Sequence, residues 1–157
     1  MALPDSPKSA TAGTLNVMRD IVRAYKTHPD IRQKATDLTR YLESKDWTGE
    51  VRALWEFVKN QVRYVRDIAG VETVYTPDVT LQQMSGDCDD KAVLLSSLLQ
   101  AIGHPVRLVA VGFQPGDFSH VYPETLIGQT WVPLETTEPV NMGWSPPGVV
   151  SRMVKNI

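Results

Sequence analysis

Cysteine is almost missing: the chain holds one, Cys88, in 157 residues. A single thiol closes no internal disulfide and builds no cysteine-rich metal site, which fits a reducing compartment. Histidine is scarce as well. His28, His104 and His120 are scattered without metal-ligand spacing, so no metal is expected. No glycine-rich phosphate loop occurs, and no cofactor is expected. Charge of one sign is not in excess: the formal net charge of −2 gives no field for nucleic acid or an acidic membrane surface. The stretch "GVVSRMVK" has too little basic and aromatic patterning to change that. No run approaches the roughly 20 apolar residues of a spanning helix. The opening "MALPDSPKSATAGT" lacks the apolar run of a signal peptide, which predicts a cytoplasmic protein.

What is present is ordinary globular material, 42% hydrophobic and 22% charged, enough for one domain with its own core. Residues 1–13 read as a flexible lead and 14–157 as a single domain. Three helical stripes follow: Leu15, Met18, Val22 and Tyr25; Ile31, Ala35, Leu38 and Leu42; then Val51, Leu54, Trp55, Val58 and Val62. Pro29 suits a helix start. From 62 to 81 the helical period is lost and β-branched residues enter, predicting an extended connection and a short turn. A strongly apolar central helix is expected over 89–102, stopped by Gly103 and Pro105. Three strands are expected at 106–113, 120–127 and 130–137, the last two joined by a Gly128-Gln129 hairpin turn. Pro123 and Pro133 predict edge positions or bulges. The Pro/Gly-rich tail from 138 reads as irregular surface chain. The order of elements is α+β, with helices on an antiparallel sheet.

The chemistry gathers at "GDCDD", residues 86–90. Cys88 stands where a helix begins, and unpaired N–H groups and the macrodipole there favour a thiolate. The flanking acids oppose this if they face the sulfur. They also suit the first turn of a helix as capping residues. Two readings therefore stand, a reactive thiol and an inert buried one. His28 reads as a surface residue and His104 as a turn residue. His120 opens a strand after a Gly-containing loop, where it either reaches a cleft or simply ends a strand. With Ile127 and Thr130 flanking the turn, residues summing to 257 lie opposite. His120 and Glu135 are then diagonal neighbours on one face, within side-chain reach. A carboxylate there fixes the imidazole's tautomer and stabilises its charged form. Cys88, His120 and Glu135 would supply nucleophile, base and orienting acid. The Cys88 N–H is an oxyanion candidate; Gln82 is a second, unless "LQQMSG" is a solvated turn. Trp131 either walls the cleft or joins the core.

"SGDCDDKAVLLSSLLQAIGHPVRLVAVG" followed by "HVYPETLIGQTWVPLETT" resembles the transglutaminase-like domain of the papain-like cysteine protease and transglutaminase superfamily. In that family a Cys begins a core helix, a His begins a later strand, and an acid follows on the next. The usual acid is Asp; Glu135 stands here instead. The resemblance covers roughly residues 50–140 and includes "VRYVRD" and "YTPDVTL". It implies a papain-like core and acyl transfer at an amide through Cys88, His120 and Glu135. The substrate would be a protein or peptide, with water or an amine as acceptor. It also resembles small prokaryotic and phage-type members. That opens an alternative: a virion or assembly component, in the host cytoplasm or virion, using the fold to bind other proteins with little catalysis.

Overall fold

The computed structural model describes residues 7–66 and 73–157. Helix α1 (Pro7–Tyr25) already covers half of the expected flexible lead. Pro7 occupies its first position, where the missing N–H costs nothing and the fixed φ suits a helix. Gly13 and the Ser/Thr run hid this from a composition-based reading. Helix α2 (Pro29–Thr39) is capped by His28, whose Nδ1 accepts from the Asp30 N–H at 3.1 Å. Helix α3 (Trp47–Gln61) is capped by Asp46, which accepts from the Gly49 N–H at 3.0 Å. The expected extended connection is only partly extended. Strand β1 (Arg63–Tyr64) leaves α3, but Pro77–Gln83 forms helix α4. Thr76-Pro77-Asp78 is a helix start, with Pro at the first position and an acid in the first turn. Part of that connection, 67–72, lies outside the described residues.

Strand β2 (Ser85–Gly86) pairs in parallel with β1 and delivers the chain to helix α5 (Cys88–Ala101). Bonds from Arg63 N–H to Met84 O and from Val65 N–H to Gly86 O, both 2.9 Å, fasten the start of α5 to the end of α3. Every residue of α5 from Asp90 to Leu99 is buried. On one side Leu94, Leu95, Leu98 and Leu99 meet Ile31, Ala35, Leu54, Trp55 and Val58 of α2 and α3. On another, Ala92 and Val93 pack with Leu15, Met18 and Val22 of α1 and with Leu108 and Ala110 of the sheet. A helix apolar around its girth is stable only when covered on several sides, and α5 is.

The sheet runs β5-β4-β3-β6 and every pairing is antiparallel: β3 (Val106–Gly112), β4 (His120–Ile127), β5 (Thr130–Pro133) and β6 (Ser151–Asn156). The tail is therefore not irregular throughout. Its "SRMVKN" pairs along β3, a strand signal masked by the prolines and glycines before it. Gly128 turns the β4–β5 hairpin with φ +63, and Ile127 faces Thr130 as expected. Strand β5 is shorter than expected and stops at Pro133. Pro133 lies on an edge strand, but Pro123 lies in β4, an interior one. Leu126 N–H bonds Pro105 O, and Leu134 N–H bonds Pro123 O. By the antiparallel alternation, the nitrogen of Pro123 faces β5 just where that ladder ends. The missing donor falls where little pairing remains to be lost.

Gly112 closes β3 against the loop that leads to His120. A Cβ there would lie 1.3 Å from the Asp117 carbonyl oxygen, which belongs to backbone and cannot swing away. Gly112→Ala is expected to destabilise the fold by about 3 kcal/mol and to displace residues 113–119. Thermal unfolding with amide hydrogen exchange of that loop checks this; a variant as stable as wild type, with unchanged exchange, refutes it.

Candidate active site

The two acids flanking Cys88 at positions 87 and 90 form a reciprocal cap. Asp87 accepts from the Asp90 N–H at 3.0 Å, and Asp90 accepts from the Asp87 N–H at 3.1 Å. The second oxygen of Asp90 accepts from the Tyr75 N–H at 2.8 Å, tying the preceding segment to the same turn. Cys88 is thereby fixed as the first residue of α5, with its sulfur free of any capping duty. Asp89 behaves differently. Its Oδ1 lies 3.6 Å from the Cys88 sulfur and accepts its S–H. Of the two roles open to these acids, capping therefore falls to Asp87 and Asp90, and contact with the sulfur to Asp89. At the second position of a helix a short carboxylate can turn back onto its neighbour.

This setting holds the thiol protonated. Burial is the main cause, pushing its pKa well above the ordinary thiol range, and the charges of Asp89 and Asp87 add to it. A hydrogen bond from the Val121 backbone N–H opposes them. Strand alternation explains that donor: Val121 points its N–H to the β5 side, beyond the point where β5 has stopped.

Beside Cys88 lies a cavity of about 160 Å³ that Ser119, His120 and Val121 also line. Thr11, Thr14 and Leu15 of α1 close its far wall, so the supposed lead is part of the site. His120 stands at the head of β4, opposite Val111 in β3. Its Nε2 lies 2.5 Å from Glu135 Oε2. The diagonal contact is made, although Glu135 sits just past the end of β5. With Nε2 engaged, Nδ1 is the ring atom left to exchange a proton.

Glu135 is 1% exposed and fully engaged. Its other oxygen accepts from the Thr137 N–H at 2.9 Å and the Thr137 hydroxyl at 2.7 Å. Burial alone would raise its pKa; the His120 hydrogen bond and charge, with the two Thr137 donors, outweigh that and hold it below the ordinary carboxyl value. Its carbonyl accepts from the Trp55 indole N–H at 2.7 Å, which anchors the backbone to α3.

Thr137, Trp55 and Lys91 are positioning residues that sequence reasoning missed. Lys91 is 1% exposed and its ammonium donates to Val62 O and Thr136 O, both at 2.9 Å. Burial pulls its pKa down to about 8, while the nearby Glu135 charge holds it up. Lys91 thus ties α3 and α5 to the segment carrying Glu135. A signal existed: Lys91 falls on the same helical stripe as Leu94, Leu95 and Leu98, where a solvated lysine does not belong.

Gln82 is not brought to the site. It is exposed on α4 and does not line the cavity at Cys88. Trp131 lies under the Arg107 guanidinium, 4.4 Å from its ring centre, and not in the cleft. His104 is more than a turn residue: it is buried, with Nε2 2.8 Å from Glu50 Oε1. Among the described residues no three His, Cys, Asp or Glu side chains gather in a way that would hold a metal ion. No helix among them is long and apolar enough to cross a membrane.

This arrangement has relatives. The fold is similar to the crystal structure of "a putative cysteine protease" from Cytophaga hutchinsonii, with TM-score 0.58 and 20% identity, over 83% of this chain and 47% of that one. It is also similar to "a putative protease" from Parabacteroides distasonis, with TM-score 0.66 and 18% identity, over 85% of this chain and 27% of that one. The chain thus spans about half of the first and about a quarter of the second. No curated protein sequence matches it significantly. The family model of the transglutaminase-like superfamily matches residues 32–136, from α2 through the capped Cys88 turn to just past Glu135. Spanning more than half of the sequence, that match makes the chain a member of the transglutaminase-like superfamily.

Proposed function

We propose that the chain catalyses cysteine-dependent acyl transfer at an amide bond. The observation that carries this reading is His120, held by the buried Glu135 on one nitrogen and lining the same cavity as the thiol at the start of α5. Cys88 is the nucleophile, His120 the proton carrier and Glu135 its orienting acid. The thiolate is not formed in advance. The thiol proton rests toward Asp89 and passes to His120 Nδ1 as the sulfur attacks the carbonyl carbon. The oxyanion that forms faces the Cys88 N–H at the helix start. Collapse breaks the C–N bond, and the amine leaves with the proton from His120. The remaining thioester then passes its acyl group to water or to a second amine, regenerating the thiol.

The test is direct trapping. A small activated acyl ester should add one acyl group per chain, on Cys88, by intact-mass and peptide mass spectrometry. His120→Ala should slow this acylation by at least about tenfold. Asp89→Asn removes a charge that keeps the thiol protonated, so iodoacetamide labelling at neutral pH should quicken about three- to tenfold. Acylation elsewhere, or equal rates in His120→Ala, refutes the proposed roles.

A second reading is an assembly module of virion or other protein complexes with little catalysis. The contact of the Asp89 carboxylate with the Cys88 sulfur, at 3.6 Å where a thiolate would be repelled, favours it.

A further inference from the structure

A second cavity, of about 330 Å³, also borders His120. It shares Ser119 and His120 with the Cys88 cavity, but Cys88 does not line it. Its remaining walls are Phe113, Glu135, Trp144, Pro146 and Pro147, with Glu138 at its border. Four of these six residues come from the tail beyond residue 136, outside the family match. Its volume is at the low end of ligand sites, which run roughly 300–1,000 Å³, so it suits one long side chain.

We infer that this cavity receives the side chain of the residue on the amine side of the scissile amide, and that it selects lysine or arginine there. The inference rests on acyl transfer at Cys88. His120 must hand its proton to the departing amine, so a pocket reached past the imidazole, and away from the sulfur, belongs to the amine half. Its chemistry defines the occupant. Phe113 is 45% exposed. With Trp144 and two prolines it offers apolar and aromatic surface for a methylene stem and for a cation over a ring face. Two carboxylates border the cavity. Glu135 is spent on His120 and Thr137. Glu138 is exposed, and its carboxylate has no hydrogen-bond or ion-pair partner among the described residues, so a cation in the cavity competes for it only with water. Lys59 and Arg63 line a neighbouring groove that Glu138 also borders, but neither pairs with it. An acidic side chain would meet like charge, and an apolar one would cover Glu138 without satisfying it.

Product-like probes test this without catalysis. Argininamide, lysinamide, leucinamide and glutamic acid α-amide share a free α-ammonium and differ in the side chain. Each is titrated into full-length Cys88→Ala protein, following the indole N–H resonance of Trp144 by NMR, assigned with Trp144→Phe. Argininamide and lysinamide should shift it saturably, at concentrations at least tenfold below any effect of the other two. Glu138→Lys should weaken them at least tenfold and favour the glutamic acid amide. Equal binding of leucinamide, or binding unmoved by Glu138→Lys, overturns the inference. If the shifts appear but wild-type protein forms no acyl-enzyme, acyl transfer fails and the cation-selective site stands. If acylation occurs and the shifts do not, the site fails alone.

Discussion

Replacing Cys88 with alanine is expected to lower the proposed amide turnover by at least about a thousandfold, the scale seen when a nucleophile is lost from a site whose residues act as a unit. Stability should change little. Cys88 is a small side chain, and the cap of α5 runs through Asp87 and Asp90 with no bond to its sulfur. The same variant separates the two functional readings. An assembly module would bind through surfaces that Cys88 does not reach, such as the exposed faces of the helices or the proline-rich tail. Pull-down of partners and biological complementation, each with wild type and Cys88→Ala, are therefore measured together. The expected result is retained binding with lost function. Full complementation by the variant rejects an essential catalytic role and promotes the module.

The fold was legible where periodicity has a direct physical cause. Leu15, Met18 and Val22, Ile31 and Ala35, and Leu54, Trp55 and Val58 are all buried, because one helical stripe can meet a core only on that face. The Gly128 turn set the register of β4 against β5, and from it the approach of His120 to Glu135. Misreadings arose where local composition and tertiary context disagree. Small polar residues and Gly13 made the start of α1 look like linker, yet neighbouring elements stabilise it as helix. The prolines and glycines of 139–148 concealed β6, whose pairing depends on β3, distant in sequence. At the site, residue types and order were legible and electrostatics was not. Nothing in "GDCDD" says that Asp89 turns to the sulfur while Asp87 and Asp90 turn to the backbone. Thr137 and Trp55 were hidden for another reason: orienting hydrogen bonds appear only once the chain is folded.

Glu135→Gln is expected to cut kcat/KM at neutral pH by about 10²- to 10⁴-fold, the range in which an orienting acid acts through its histidine. The amide keeps the size of the carboxylate, and its oxygen can still accept from Thr137. It then presents its NH₂ toward His120 Nε2, where the carboxylate accepted a proton. That favours the tautomer with Nδ1–H, the wrong one for receiving the thiol proton. The neutral amide also withdraws the charge that stabilises imidazolium. Glu124 cannot substitute, being buried in β4 with Arg107 at 2.7 Å and Arg152 at 3.5 Å. Glu135→Asp, the acid more usual in the family, keeps the charge but is one methylene too short to hold His120 and Thr137 together. It should retain part of the activity. Acid stability gives an independent readout. The native Glu135 pKa lies below the ordinary 4.5, so the stabilisation is fully present above that value and is lost as pH falls through the lower native one. Glu135→Gln should lack this part of the acid slope, and its spectrum should lose the low-field His120 Nε2–H proton resonance. Wild-type kcat/KM in a Glu135→Gln protein that has lost that resonance would show that the carboxylate holds His120 in place without serving its chemistry.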